Sequence, residues 1–122
     1  MTTKITSANI TQSGTSGISS VAWQAVQTTG FTAVAGRAYP CNTTSAAFTV
    51  TLPASPAAGN VITLTDYAGT WGTNNLTVNP NGGKINGSTS NLVLNSTRFS
   101  AQFVYVDSTQ GWIIYSTANF LS

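Results

Sequence analysis

The sequence predicts an all-β fold: a small β-sandwich, jelly-roll-like, behind an extended N-terminal arm. Three observations carry that prediction. From Val21 onward, short alternating apolar runs punctuated by Gly, Pro and Asn recur at about ten-residue spacing, as the strands of a sandwich or barrel do. No window shows the i, i+3, i+4, i+7 apolar spacing of a helix, and the one Ala cluster is interrupted by Pro56 and Gly59. Charge is replaced by Thr, Ser, Asn and Gly: charged residues are 5% of the 122 and aromatic residues 10%. Disorder goes with high net charge and few aromatics, so this composition reads as a folded, Thr-rich β protein with a neutral polar surface.

The elements follow in order. Residues 1–20, MTTKITSANITQSGTSGISS, hold Ile5, Ile10 and Ile18 among Thr, Ser, Asn and Gly with no amphipathic period, and read as an arm. Residues 21–118 read as the β-sandwich domain and 119–122 as a C-terminal tail. WQAVQT and FTAVAGRAYPCN, either side of Thr29-Gly30, suit a hairpin or a pair of crossing strands. In FTVTLP the side chains of Phe48, Val50 and Leu52 share one face and Thr49 and Thr51 the other. VITLTDY places Ile62 and Leu64 opposite Val61, Thr63 and Thr65; LTVNP and NLVLN continue the scheme with Leu76, Val78, Leu92 and Leu94.

The closing segment gives the strongest signal. RFSAQFVYV, DSTQG and WIIYS read as a β-hairpin with Phe99, Ala101, Phe103 and Tyr105 on one face, met by Trp112 and Ile114. Asp107 is placed to accept backbone amides at the start of the turn, and Gly111 to take a positive φ at its end. Val104, Val106, Ile113 and Tyr115 make the opposite face apolar too, and a strand apolar on both faces is buried on both. The cover is either a second sheet of the same chain or another subunit. Together with Phe120 and Leu121, this surface predicts self-association.

Composition also excludes chemistry. Without His, the chain has no Ser-His-Asp or Cys-His nucleophile, no imidazole base and no His-bearing zinc site. Asp66 and Asp107 are its only carboxylates, a poor calcium cage, and each stands at a strand end where turn chemistry explains it. A glycan-cleaving enzyme would have to use that pair. Four Lys and Arg are too few for counterion-release binding of nucleic acid. No apolar run suits a signal peptide or a membrane span, so no membrane partner is expected. Catalytic, cofactor and metal residues are accordingly expected to be none.

The remaining features are local. Cys41, the single cysteine, reads as a small buried hydrophobe. Gly82-Gly83-Lys84 lacks the spacing of a phosphate loop and reads as tight turns around a short strand at Ile85. Arg37 and Arg98 fall within expected strands and face solvent by default. DYAGTWGTNN carries Tyr67 and Trp71, which either stack on a sugar ring or base or fold over the sandwich end as a plug, the commoner arrangement.

FTVTLPASPAAGNVITLTDYAGTW, NNLTVNPNGGKINGS and FVYVDSTQGWIIY, which lie between about Ala46 and Tyr115, resemble a β module of tailed-bacteriophage capsid decoration (cement) and tail-fibre proteins. The resemblance implies a non-enzymatic virion component, made in the host cytoplasm and placed on the capsid surface, and it selects a homotrimer over a dimer. It carries no set of site residues. With a short chain and a free arm, the expected role is a trimeric decoration protein whose Ile5, Ile10 and Ile18 dock on the major capsid protein. The alternative is a short fibre or receptor-binding tip that contacts host glycans through Tyr67, Trp71 or Tyr39. Coiled-coil heptads and collagen-like repeats, the usual material of a fibre shaft, are absent from the sequence.

Overall fold

The computed structural model describes residues 21–116. The arm with Ile5, Ile10 and Ile18, and Phe120 and Leu121 in the tail, lie outside the described residues. The strands are β1 (Ala22–Trp23), β2 (Phe31–Thr32), β3 (Arg37–Cys41), β4 (Phe48–Thr51), β5 (Val61–Asp66), β6 (Leu76–Asn79), β7 (Leu92–Leu94), β8 (Ser100–Asp107) and β9 (Gly111–Ser116). They form a five-stranded sheet, β1-β3-β5-β8-β9, and a four-stranded sheet, β2-β4-β6-β7. The fold is an all-β sandwich, as the residue pattern predicts.

The connectivity is what the pattern does not reveal. Through β6 the chain alternates between the sheets, so β1, β3 and β5 pair in parallel, as do β2, β4 and β6. The first half therefore winds as a two-sheeted coil, and only β7, β8 and β9 pair antiparallel. This is not the antiparallel Greek-key wiring of a jelly roll. Of the two arrangements open for the segments around Thr29-Gly30, the crossing one is found: β1 and β2 lie in different sheets.

Pro40 explains why β1 is short. Gln24 N donates to Ala38 O at 2.8 Å, and a parallel ladder would next have residue 40 donate to Gln24 O. Proline has no N–H, so the ladder lapses there and resumes where Gln27 N donates to Pro40 O at 2.9 Å.

Between the sheets, the inward residues of the alternating runs make one core, with Val50, Leu52, Leu76 and Val78 from one sheet against Tyr39, Ile62, Leu64, Ala101 and Phe103 from the other. The closing hairpin is as expected: Phe103 pairs with Ile114 and Tyr105 with Trp112. Asp107 Oδ1 accepts the amides of Thr109 and Gln110 at 3.0 and 2.9 Å, and Gly111 has φ 74°. A Cβ on Gly111 would also strike the carbonyl of Lys84, whose oxygen accepts Trp112 N at 2.8 Å. Residues 84–87 thus run along β9, with Asn86 N bonded to Trp112 O at 2.7 Å, and cover part of an edge that would otherwise be open.

The outer faces of the two sheets differ. On the four-stranded sheet Thr32 lies level with Thr51, and Thr49 with Thr77 and Val93, a Thr-rich surface suited to water. On the five-stranded sheet one row runs Trp23, Ala38, Thr63, Gln102, Tyr115 and the next runs Val61, Val104, Ile113. Trp23 is 59% exposed, Tyr115 46% and Val106 41%. The second sheet covers only the inner side of the closing strands, and their outer apolar side stays uncovered among the described residues.

Candidate functional site: two loop ends and a sheet face

Strand direction sorts the loops to the two ends of the sandwich. Asp66, at the end of β5, organises the first. Its carboxylate is buried and accepts four backbone amides: Gly69 and Thr70 on Oδ1 at 3.0 Å each, and Trp71 at 3.2 Å and Arg98 at 2.9 Å on Oδ2. A short acceptor at a strand end is the residue type that can gather a returning loop in this way. The loop so formed buries Trp71 completely, and the indole Nε1 donates to Cys41 O at 3.3 Å. Around it, the hydroxyls of Thr43 and Thr70 bond at 2.7 Å and Asn74 Nδ2 donates to Thr43 O at 2.8 Å.

This geometry corrects one expected contact. Trp71 is the plug of the sandwich end, fully enclosed, and has no face to offer a glycan. Tyr67 in the same loop is 51% exposed and remains accessible. Tyr39 is buried too, its ring 4.6 Å from that of Phe31 and its hydroxyl accepting Val34 N at 2.8 Å. Arg98, expected within a strand, sits instead in the turn before β8 with φ 60°, and its guanidinium donates to Tyr67 O at 3.0 Å. Arg37 begins β3 and is exposed, as expected.

Nor can the two carboxylates act as a glycosidase pair. Ser100 lies opposite Thr65, next to Asp66, whereas Asp107 ends β8 at its far side. At about 3.3 Å per residue, the seven steps of β8 put them roughly 20 Å apart, against about 5–9.5 Å for acid and base across one glycosidic bond. Cys41 is fully buried, and burial, reinforced by the charge of Asp66, raises its thiol pKa to about 12. It is a packed hydrophobe with the thiol kept neutral, as read from the sequence.

The other end is open. Loops after β4, β6 and β8 converge there around a cleft of about 480 Å³ lined by Pro53, Pro56, Pro80, Asn81, Lys84 and Tyr105, among others. At its base Tyr105 meets Trp112 edge to face, ring centroids 5.5 Å apart. Sequence reasoning missed this site because it took NPNGG as turns and Tyr105 as a core position. NPNGG does form turns, Tyr105 is partly buried against the core rather than within it, and only the parallel winding of the first strands shows that these segments meet. The chain matches no protein-family model and no curated protein.

Proposed function

We propose that the chain is a structural protein of a tailed-bacteriophage virion, a capsid decoration protein that assembles as a homotrimer on the capsid surface and stabilises the head shell. The observation that carries this reading is the contrast between a Thr-rich outer face on one sheet and, on the other, an outer face that carries Trp23, Tyr115 and the neighbouring row Val61, Val104, Ile113. A sheet face of that composition calls for cover. Within it, Thr63 is 5% exposed and its hydroxyl has no hydrogen-bond partner among the described residues.

Five strands about 4.8 Å apart and two to eight residues long present roughly 400 Å² per copy, so a single pairwise contact is at the small end of specific interfaces. Closing a ring of copies multiplies such contacts. The role is mechanical: Asp66 is committed to four amides and stands far from Asp107, which leaves no acid and base pair. The likeness of FTVTLPASPAAGNV and the following segments to phage decoration modules supports the place in the virion and the choice of three copies.

In this reading the arm, through Ile5, Ile10 and Ile18, anchors the trimer to the major capsid protein. The test is deletion of residues 1–20, followed by mass determination in solution and by binding to capsids stripped of this protein. Trimers are expected to persist while capsid binding falls sharply. A monomer would place the trimer contact in the arm, and undiminished binding would remove the arm as anchor.

A further inference from the structure

The open end of the sandwich carries a cleft whose lining narrows the kind of ligand it suits. Its volume, about 480 Å³, falls within the range of small-molecule sites. No carboxylate lines it, so it does not suit a divalent cation. Lys84 is its one charged lining residue. A phosphate site would want several cations or a helix N-terminus, and neither lines this cleft. A wholly apolar ligand would strip water from Asn81, Thr89 and Ser108 without replacing it.

What matches is a ligand with apolar C–H faces and a rim of hydroxyls. Pro53, Pro56 and the ring of Tyr105 supply flat apolar surface, while the amide of Asn81 and the hydroxyls of Thr89 and Ser108 supply donors and acceptors. We propose that this cleft binds a neutral saccharide of one or two sugar units. The assignment does not rest on the capsid reading, since it uses only the residues of the cleft.

The walls are fixed before any ligand arrives, which lowers the ordering cost of binding. Asn81 has φ 56° and Gly82 φ 83°, a tight turn closed by Gly83 N to Pro80 O at 3.2 Å. Asn81 Nδ2 donates to Leu52 O at 3.0 Å, which orients the side chain and leaves its oxygen as an acceptor. In the loop that carries Pro53 and Pro56, Ala57 N donates to Asn60 Oδ1 at 2.8 Å, and Asp107 holds the turn that carries Ser108.

The experiment is a titration of the ¹⁵N-labelled full chain with glucose, N-acetylglucosamine and lactose, followed by amide and indole resonances. For at least one sugar, the Trp112 indole and the amides of Asn81, Thr89 and Ser108 are expected to shift with millimolar affinity, while the Trp71 indole and Tyr67 amide stay in place. Tyr105→Ala should weaken binding about tenfold, the value of one aromatic contact, and Tyr105→Phe should bind nearly as the parent. Asn81→Gly and Ser108→Ala, which the local backbone tolerates, should each weaken it several-fold with an unchanged fold. Three results would overturn the proposal: no shift with any of the sugars, shifts confined to the Tyr67 end, or tighter binding of inorganic phosphate at the cleft than of every sugar. The second would leave glycan recognition standing at a different site.

Discussion

Arg98 and Asp66, thirty-two residues apart, meet through the backbone: the Arg98 amide donates to Asp66 Oδ2 at 2.9 Å, while the guanidinium reaches the carbonyl of Tyr67. One buried carboxylate thereby ties the end of β5 to the loop that holds Trp71 and to the start of β8. The carboxylate organises the fold at this end, and the arginine contributes chiefly its main chain.

Substitution at Asp66 should therefore appear as lost stability. Asp66→Asn keeps one carbonyl acceptor for four amides and is expected to cost about 2–3 kcal/mol; Asp66→Ala leaves buried amides unpaired and should cost about 4 kcal/mol or more. Arg98→Ala retains the amide and should cost less than about 1 kcal/mol, the worth of an exposed polar contact. Urea denaturation of the three variants measures the order. A loss at Arg98→Ala equal to that at Asp66→Asn would return the guanidinium to the centre of the account.

Trp71 and Phe103 are both fully buried, one at the sandwich end and the other in its middle. Truncating either to Ala should cost about 3–5 kcal/mol, a large part of the 5–15 kcal/mol that a domain has. Tyr67→Ala, in the same loop as Trp71 but half exposed, should cost much less. Thermal or chemical unfolding separates these cases, and a mild Trp71→Ala would mean that the plug is dispensable.

The pH dependence has two regimes. With no His and no Glu in the chain, stability should vary little between about pH 5 and pH 8. Above that range Cys41 matters, because its folded pKa is raised to about 12 from an ordinary value of 9.0. The unfolded chain loses the thiol proton first, so the folded state binds more protons and stability falls as pH rises from about 9 toward 12. The slope from this group approaches about 1.4 kcal/mol per pH unit. Cys41→Ala should unfold with a visibly shallower alkaline decline than the parent. Equal slopes would show that the thiol is not the group responsible.

How far the sequence carries is clearest at the closing hairpin. Its partners are neighbours along the chain, so alternation and turn chemistry suffice to pair Tyr105 with Trp112 across Asp107 and Gly111. The pairing of Ala22 with Arg37, or of Ala38 with Thr63, skips a strand of the other sheet. A two-residue period reports which face a side chain takes and is silent on which strand lies beside it. Trp71 was ambiguous for a related reason: plug and platform need the same residues, and burial is decided by amides gathered on Asp66 from distant positions. The cleft around Tyr105 required all three loops to be placed at once.

The apolar outer face of β8 and β9 is the surface on which the proposed assembly turns. Val104→Lys replaces the middle of the Val61, Val104, Ile113 row with a charge that cannot be buried unpaired. Val104 is outward and only partly buried, so Lys there should leave the monomer fold in place, with near-native strand content by circular dichroism.

Light-scattering mass determination of the full chain, beside Val104→Lys at equal concentration, is the most direct test. The account predicts three times the 12.6 kDa chain mass for the parent and a shift toward one chain for the variant. A parent that remains at 12.6 kDa across the accessible concentration range, or a variant that stays trimeric, would contradict it.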